Sequence, residues 1–301
     1  MTDQITLLPS VAVFVAVYNG MRWLPVQIDS ILAQESVSLT IFVSVDASTD
    51  GTEIWFNELA ERDARIVLLP HGRRFGGAAK NFFRLISEVD FLDYDYVSFA
   101  DQDDIWFCDK LSHGIDQIRL NDADAYSGNV IAFWIDGREK LLNKAQPQRE
   151  LDYLFEAAGP GCSYIFTQQA LCVVKKYLHE YPALNDFVLH DWLAYAVLRH
   201  NGYRWFIDPE PKMMYRQHES NQVGANSSIK GVMYRLNYVM SGRVFESISL
   251  LVNTLGVSPI DVTTRFGLLQ LACKYRKLRR RTSEQLITLV CLILYALKRP
   301  S

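Results

Sequence analysis

Three carboxylates fall within four positions, Asp101, Asp103 and Asp104, in the stretch SFADQDDIWFCDKL (Ser98–Leu111). They follow Tyr96–Ala100, a run apolar enough for a strand buried on both faces. Carboxylates crowded at a strand end repel one another and resist desolvation. A hard divalent cation removes the conflict, because Mg2+ and Mn2+ take oxygen ligands and Mg2+ commonly shares its shell with phosphates. A bound cation inverts the local electrostatics, so a diphosphate can then lie beside groups that would otherwise repel it. The bland reading is a solvated turn, with Asp104 or Asp109 capping the following helix. A lone Asp-x-Asp leaves both open.

The elements that position these residues read clearly in the first half. Val11–Val17, Leu39–Val45, Ile66–Leu69 and Tyr96–Ala100 are nearly continuous in apolar and β-branched residues, which predicts buried strands. Between them, Arg22–Gln34, Gly51–Arg62 and Ala78–Val89 carry apolar residues at helical spacing. Such alternation implies right-handed βαβ units, a mostly parallel sheet and a Rossmann-like α/β fold. Tyr18-Asn19-Gly20 follows the first strand, Asp46 the second and the acidic cluster the fourth. Ligands of open α/β sheets bind beyond the carboxyl ends of the strands, so these polar groups converge on one crevice. From residue 126 to 225 the pattern is of short strands and loops with one clear helix, His190–Arg199. From about Ile229 the chain reads as helical almost to its end.

Composition excludes more than it assigns. With 49% hydrophobic residues the chain is an ordered globular protein, and a net charge of −3 gives no signal for nucleic acid. Five cysteines without paired or metal-ligand spacing fit a reducing compartment. MTDQITLLPS lacks a basic n-region, so the apolar run after it is expected to be a core strand, not a signal peptide. No stretch reaches the roughly 18 apolar residues of a membrane-spanning helix.

VAVFVAVYNG, VSVDASTDGT, FGGAAKNFFRLI, the acidic stretch, HDW and MYRQHESNQVG stand in the order seen in family 2 glycosyltransferases of the GT-A fold. Over roughly residues 8–225 the sequence resembles the bacterial rhamnosyltransferase-type branch. The resemblance implies a GT-A catalytic domain over 1–225, with a nucleotide-sugar half to about 125 and an acceptor half from 126, followed by a helical extension over 226–301. It places Tyr18 and Asn19 against the nucleoside, Asp46 on a pyrimidine base, and Lys80 and Asn81 along the nucleoside and sugar-phosphate. Asp101 and Gln102 fall near the ribose or sugar, Asp103 on an Mg2+ or Mn2+ ion, and Arg216 and His218 on the loop closing over the diphosphate, with His218 a second metal ligand. Asp191 matches the general base, and Gly161, Cys162, His190 and Trp192 match the acceptor side. The sequence departs from the family's DDGSTDGT at Val45 and Ala47, which removes a hydrogen bond available in many relatives.

The expected reaction is an inverting, metal-dependent transfer of a sugar, L-rhamnose from dTDP-rhamnose, onto a lipid-linked or saccharide acceptor of surface polysaccharide. A UDP-hexose transferase is the alternative. An aspartyl-phosphate phosphatase also places Asp-x-Asp after a strand, but Ile105 stands where it needs Thr or Val. KYRKLRRR (Lys274–Arg281) and the apolar stretch Leu286–Leu297 predict peripheral contact with the inner, anionic face of the cell membrane from the cytoplasm. The bland reading packs that helix on the catalytic domain with a solvated basic flank.

Overall fold

The computed structural model describes residues 7–218 and 241–298. Its first half follows the apolar runs closely: β1 (Ser10–Val17), α1 (Leu24–Leu32), β2 (Ser38–Val45), α2 (Thr52–Arg62), β3 (Ile66–Leu68), α3 (Ala78–Glu88) and β4 (Tyr96–Ala100). Then come β5 (Ile105–Trp106), α4 (Lys110–Leu120), β6 (Ala125–Gly128), β7 (Val130–Trp134) and β8 (Glu139–Leu142). β9 (Ile165–Thr167), α5 (Gln168–Glu180), α6 (His190–His200), β10 (Trp205–Asp208) and β11 (Met213–Gln217) follow. Beyond residue 240 lie α7 (Arg243–Leu255), α8 (Arg265–Cys273) and α9 (Thr282–Lys298). The expected helix from Ile229 to residue 240 lies outside the described residues.

Seven strands form the main sheet in the order β10-β6-β9-β4-β1-β2-β3. β1 is parallel to both β2 and β4, whereas β9 runs antiparallel between β4 and β6. Side chains alternate across a strand. Val11, Val13, Val15 and Val17 therefore pack on one face with α1 and α4, while Ala12, Phe14 and Ala16 join α3, α5 and α6 on the other. A smaller sheet has the order β5-β11-β7-β8, and its β5 follows β4 directly after the acidic turn. Its β5–β11 pair is antiparallel, Met213 opposite Trp106 and Met214 opposite Ile105, and this register brings Arg216 and His218 to the acidic cluster.

The C-terminal helices share the second of these faces. Phe245, Ile248, Leu251, Leu268, Leu271, Leu292 and Tyr295 belong to the same apolar cluster as α5 and α6. The basic stretch ahead of α9 is not the uniformly solvated run its composition suggests. Arg280 is 2% exposed, donates to Ala157 O at 2.6 Å and pairs with Asp152 and Glu156, each at 3.3 Å. Lys277 pairs with Glu150, and Arg279 and Arg281 both reach Glu284.

Candidate active site

The loops after β1, β2 and β4 meet as the topology requires, and they are tied to each other before any ligand is considered. Gln102 Oε1 accepts the Tyr18 N–H at 2.8 Å, and Asn19 Oδ1 accepts the Thr49 N–H at 2.8 Å. Asn19 adopts a left-handed φ of 46°, a conformation Asn tolerates better than most residues. A side chain at Gly20 would meet Gln102 Oε1 at 2.8 Å and Leu24 Cδ1 at 2.9 Å, so glycine is what lets Gln102 reach Tyr18. Tyr18 itself is half exposed beside this junction.

Asp46 is buried and accepts three backbone N–H groups, from Ala47, Phe75 and Gly76 at 2.8–3.0 Å. Its carboxylate therefore shapes the 75–76 loop. Asn81 departs from the expected lining role. It is 2% exposed and donates to Val17 O and Ser44 O, pinning α3 under the ends of β1 and β2. Lys80, one position earlier, is half exposed and pairs with Asp186 at 2.6 Å.

Asp103 and His218 are brought together across 115 positions, with His218 Nε2 2.6 Å from Asp103 Oδ2. The approach is built by β11, where the Arg216 N–H bonds Asp104 Oδ1 at 3.0 Å and Arg216 Nε donates to Asp103 O at 2.7 Å. Asp103 and His218 could both turn to a divalent cation, the carboxylate oxygen being the ligand type that suits Mg2+ and Mn2+. His218 is the last described residue of MYRQHESNQVG; the remainder lies outside the described residues.

Beneath this pair the acidic cluster is supported from below. Asp101, Asp104 and the Cys162 thiol offer ligand atoms within 4.8 Å of one another. Burial pushes both carboxyls up, and the neighbouring Asp103 charge pushes them further. Asp104 is fully buried and committed to β11, so Cys162 serves as a packing and hydrogen-bonding partner of the acidic loop instead of meeting an acceptor. Asp109 stands at the N-cap position of α4 without a capping bond, and its carboxylate accepts Lys212 Nζ at 2.6 Å. The residue that sequence reasoning missed here is Lys110. Its buried ammonium donates to Ser98 Oγ at 3.3 Å and sits 3.6 Å from the centre of the Trp106 ring. Burial pulls it down to about 7, against the attraction of Cys162 and Asp104. A lysine at a helix start looks like a solvated one, so only the fold reveals it.

Asp191 lies in the first turn of α6, one position inside the start of the helix. Its Oδ1 accepts the Trp192 N–H at 2.7 Å, and burial raises the carboxyl to about 6 against the Trp192 and Gly161 N–H groups and the Lys144 ammonium. The Asp191 charge in turn raises Asp101, so the two carboxylates share one electrostatic environment. Gly161 admits this geometry: a side chain there would meet His190 Nε2 at 2.6 Å and Asp191 Cβ at 3.0 Å. His190 and Trp192 are corrections to the acceptor-side assignment. His190 stacks on Phe82 at 3.9 Å and is kept neutral by burial, its value driven down to about 3. Trp192 is buried against Phe187 and donates to Tyr153 O at 3.0 Å. Both are core residues that aim the aspartate between them.

The family model described as Glycosyl transferase family 2 matches residues 12–173, which carry the three strand-end loops and Gly161. The chain belongs to that family. It is a glycosyltransferase. It is 43% identical over 286 residues to the dTDP-rhamnosyl transferase RfbG of Shigella flexneri, covering 93% of this chain and 99% of that one. It is also 26% identical over 195 residues to the UDP-Glc:alpha-D-GlcNAc-diphosphoundecaprenol beta-1,3-glucosyltransferase WfgD of Escherichia coli, covering 64% of this chain and 71% of the relative. Among solved structures, the mannosyltransferase PcManGT of Pyrobaculum calidifontis, in complex with GDP-Man and Mn2+, matches with a TM-score of 0.54 at 15% identity, over 97% of this chain and 88% of that one. S. aureus TarS 1-349 in complex with UDP-GlcNAc matches with a TM-score of 0.54 at 13% identity, over 95% of this chain and 89% of that one. At such identities the likeness is one of fold, and the fold is GT-A.

Proposed function

We propose that this glycosyltransferase is inverting and metal-dependent, moving L-rhamnose from dTDP-rhamnose to a saccharide acceptor carried on a membrane lipid. The observation that carries the reading is the pairing, in one crevice, of a carboxylate–imidazole corner (Asp103, His218) with a partly exposed carboxylate of raised basicity (Asp191). Mg2+ or Mn2+ held by Asp103, His218 and the donor would offset the charge that develops on the departing diphosphate. Arg216 places a guanidinium beside the same corner. Asp191 takes the proton of the acceptor hydroxyl, and a value near 6 leaves it ionised at neutral pH yet basic enough for the task. The donor's nucleoside rests on the junction that Gln102 ties to Tyr18 and Asn19, with the loop held by Asp46 beside it. The 43% likeness to a dTDP-rhamnosyl transferase supports the donor, and the likeness to a diphosphoundecaprenol-directed enzyme supports the acceptor class.

The test offers purified protein dTDP-rhamnose, UDP-glucose and UDP-galactose with Mn2+ or Mg2+, and follows donor hydrolysis. Transfer to a saccharide acceptor is then read for anomeric configuration by NMR. dTDP-rhamnose as the preferred donor and an inverted product are expected. Faster turnover of a UDP-hexose would move the chain to that donor class, and a retained anomer would remove Asp191 as base.

A further inference from the structure

Trp23 occupies a position that none of the sequence motifs singled out. It stands at the start of α1, directly after the Tyr18–Gly20 loop, with its N–H bonded to Gly20 O at 2.9 Å. Its ring is stacked on the His218 imidazole, with centroids 5.8 Å apart and planes 16° from parallel. The Arg216 guanidinium lies 4.3 Å from the centre of the same ring and 4.5 Å from the centre of Phe133, so two aromatic rings flank it. Arg22 adds a second guanidinium 4.3 Å from the Trp23 centre. Both side chains that β11 sends toward Asp103 therefore rest on one indole from the other end of the chain.

We propose that Trp23 is the positioning residue that sets His218 and Arg216 against Asp103, and so determines how tightly the divalent cation and the diphosphate are held. The inference rests on the metal-dependent reading above. The physical reason is orientation. An imidazole on a strand end has two torsions to fix before its Nε2 can reach a cation, and a guanidinium has more. A flat electron-rich face fixes the plane of both and attracts the guanidinium. Trp23 touches no reacting atom; it acts through the two residues it supports. It also joins the nucleoside-side loop to the diphosphate-side strand, so a distortion at either end is transmitted through the indole.

The experiment measures Mn2+ binding directly, by electron paramagnetic resonance of the free ion in the presence of dTDP, for wild type, Trp23→Ala, Trp23→Leu and Trp23→Phe. Melting temperatures are recorded in EDTA. Expected results are about tenfold weaker Mn2+ binding in Trp23→Ala and Trp23→Leu, recovery to within about threefold in Trp23→Phe, and melting temperatures within a few degrees of wild type for the Leu and Phe variants. Should Trp23→Ala fail to fold, Trp23→Leu decides, since it keeps apolar bulk but lacks the aromatic face. Wild-type Mn2+ affinity in the Leu variant, or a lowered melting temperature with unchanged Mn2+ affinity, would overturn the inference while leaving the metal reading in place. Absence of Mn2+ binding by the wild type itself would overturn the metal reading, and this inference with it.

Discussion

As the proposed base, Asp191 is asked for two things that pull against each other: an ionised carboxylate at neutral pH, and a site dry enough to keep it basic. Burial holds its value at about 6, above the ordinary 3.8. The folded state thus binds the proton more tightly than the unfolded chain. The associated loss of stability begins as pH rises past 3.8 and is complete above about 6, with a scale on the order of 2–3 kcal/mol. Asp191→Asn keeps the shape and the acceptor for the Trp192 N–H but cannot ionise. At pH 7.5 it should melt a few degrees above wild type, and the difference should vanish at pH 4, as read by calorimetry at both. Transfer should fall by about 10²–10⁴-fold, the scale of general base catalysis, with dTDP affinity unchanged. Wild-type turnover in the variant would remove Asp191 from the mechanism. In the intact enzyme, kcat/KM should drop as pH falls through about 6, because protonation disables the base. Asp103 gives the complementary prediction. Asp103→Asn leaves a cation less compensated, so nucleotide binding measured by calorimetry should lose its enhancement by Mn2+; equal affinity with Mn2+ and with EDTA in the wild type would argue against a metal at this corner.

At the scale of elements, Asp191 is aimed by a loop of glycine and proline against the start of α6. Gly161→Ala would drive a methyl to 2.6 Å from His190 Nε2, and His190 cannot retreat because Phe82 lies 3.9 Å behind it. The helix start must move instead. Overpacking of this kind costs about 1–3 kcal/mol. We expect a lower melting temperature together with transfer reduced by at least tenfold and nearly normal dTDP affinity, since the nucleoside loops are tied elsewhere. The element pattern also shows what a sequence can disclose. β1, β2 and β4 were legible because a strand buried on both faces must be apolar throughout, and each ended at the residues that matter. β5, two residues long, gives no periodicity to read, yet it fixes the register that brings His218 to Asp103. Polar motif residues are the other blind spot. Asn81 and Cys162 spend hydrogen bonds inside the protein and His190 is buried against Phe82, and nothing local in the sequence reveals it. Lys110 and Trp23 were invisible for the converse reason: one resembled a solvated helix residue and the other a core aromatic.

For the whole molecule, the question is what the C-terminal helices do besides complete a core. One face of α9 packs inward through Cys291, Leu292, Tyr295 and Ala296, with Tyr295 stacked on Phe245 at 4.1 Å. The opposite face leaves Leu286, Ile287, Val290, Ile293, Leu294 and Leu297 between 38% and 63% exposed. Their spacing, i, i+1, i+4, i+7, i+8, i+11, puts them on a single stripe. With 17 residues the helix is about 25 Å long, and no described helix is long and apolar enough to cross a membrane. A helix with this stripe is suited to lie in the interface plane of a bilayer, which on the proposed function would bring a lipid-carried acceptor to the cleft. Six half-exposed aliphatic side chains offer roughly 1 kcal/mol each on burial. The cations contribute less than their number suggests, because Arg280 is buried and Lys277, Arg279 and Arg281 are paired with glutamates. Binding to anionic vesicles should therefore survive salt better than a basic cluster alone would allow. Ile287→Glu combined with Val290→Glu alters exposed positions only, so the melting temperature and hydrolysis of soluble donor should stay near wild type while co-sedimentation with the vesicles is lost. Truncation at 274 would be a poorer test, since it removes the inward face of α9 and takes Arg280 from the buried Asp152 and Glu156 carboxylates it pairs with. Undiminished vesicle binding by the double variant would mean that the stripe faces something other than lipid; binding lost at moderate salt by the wild type would return the role to the cations.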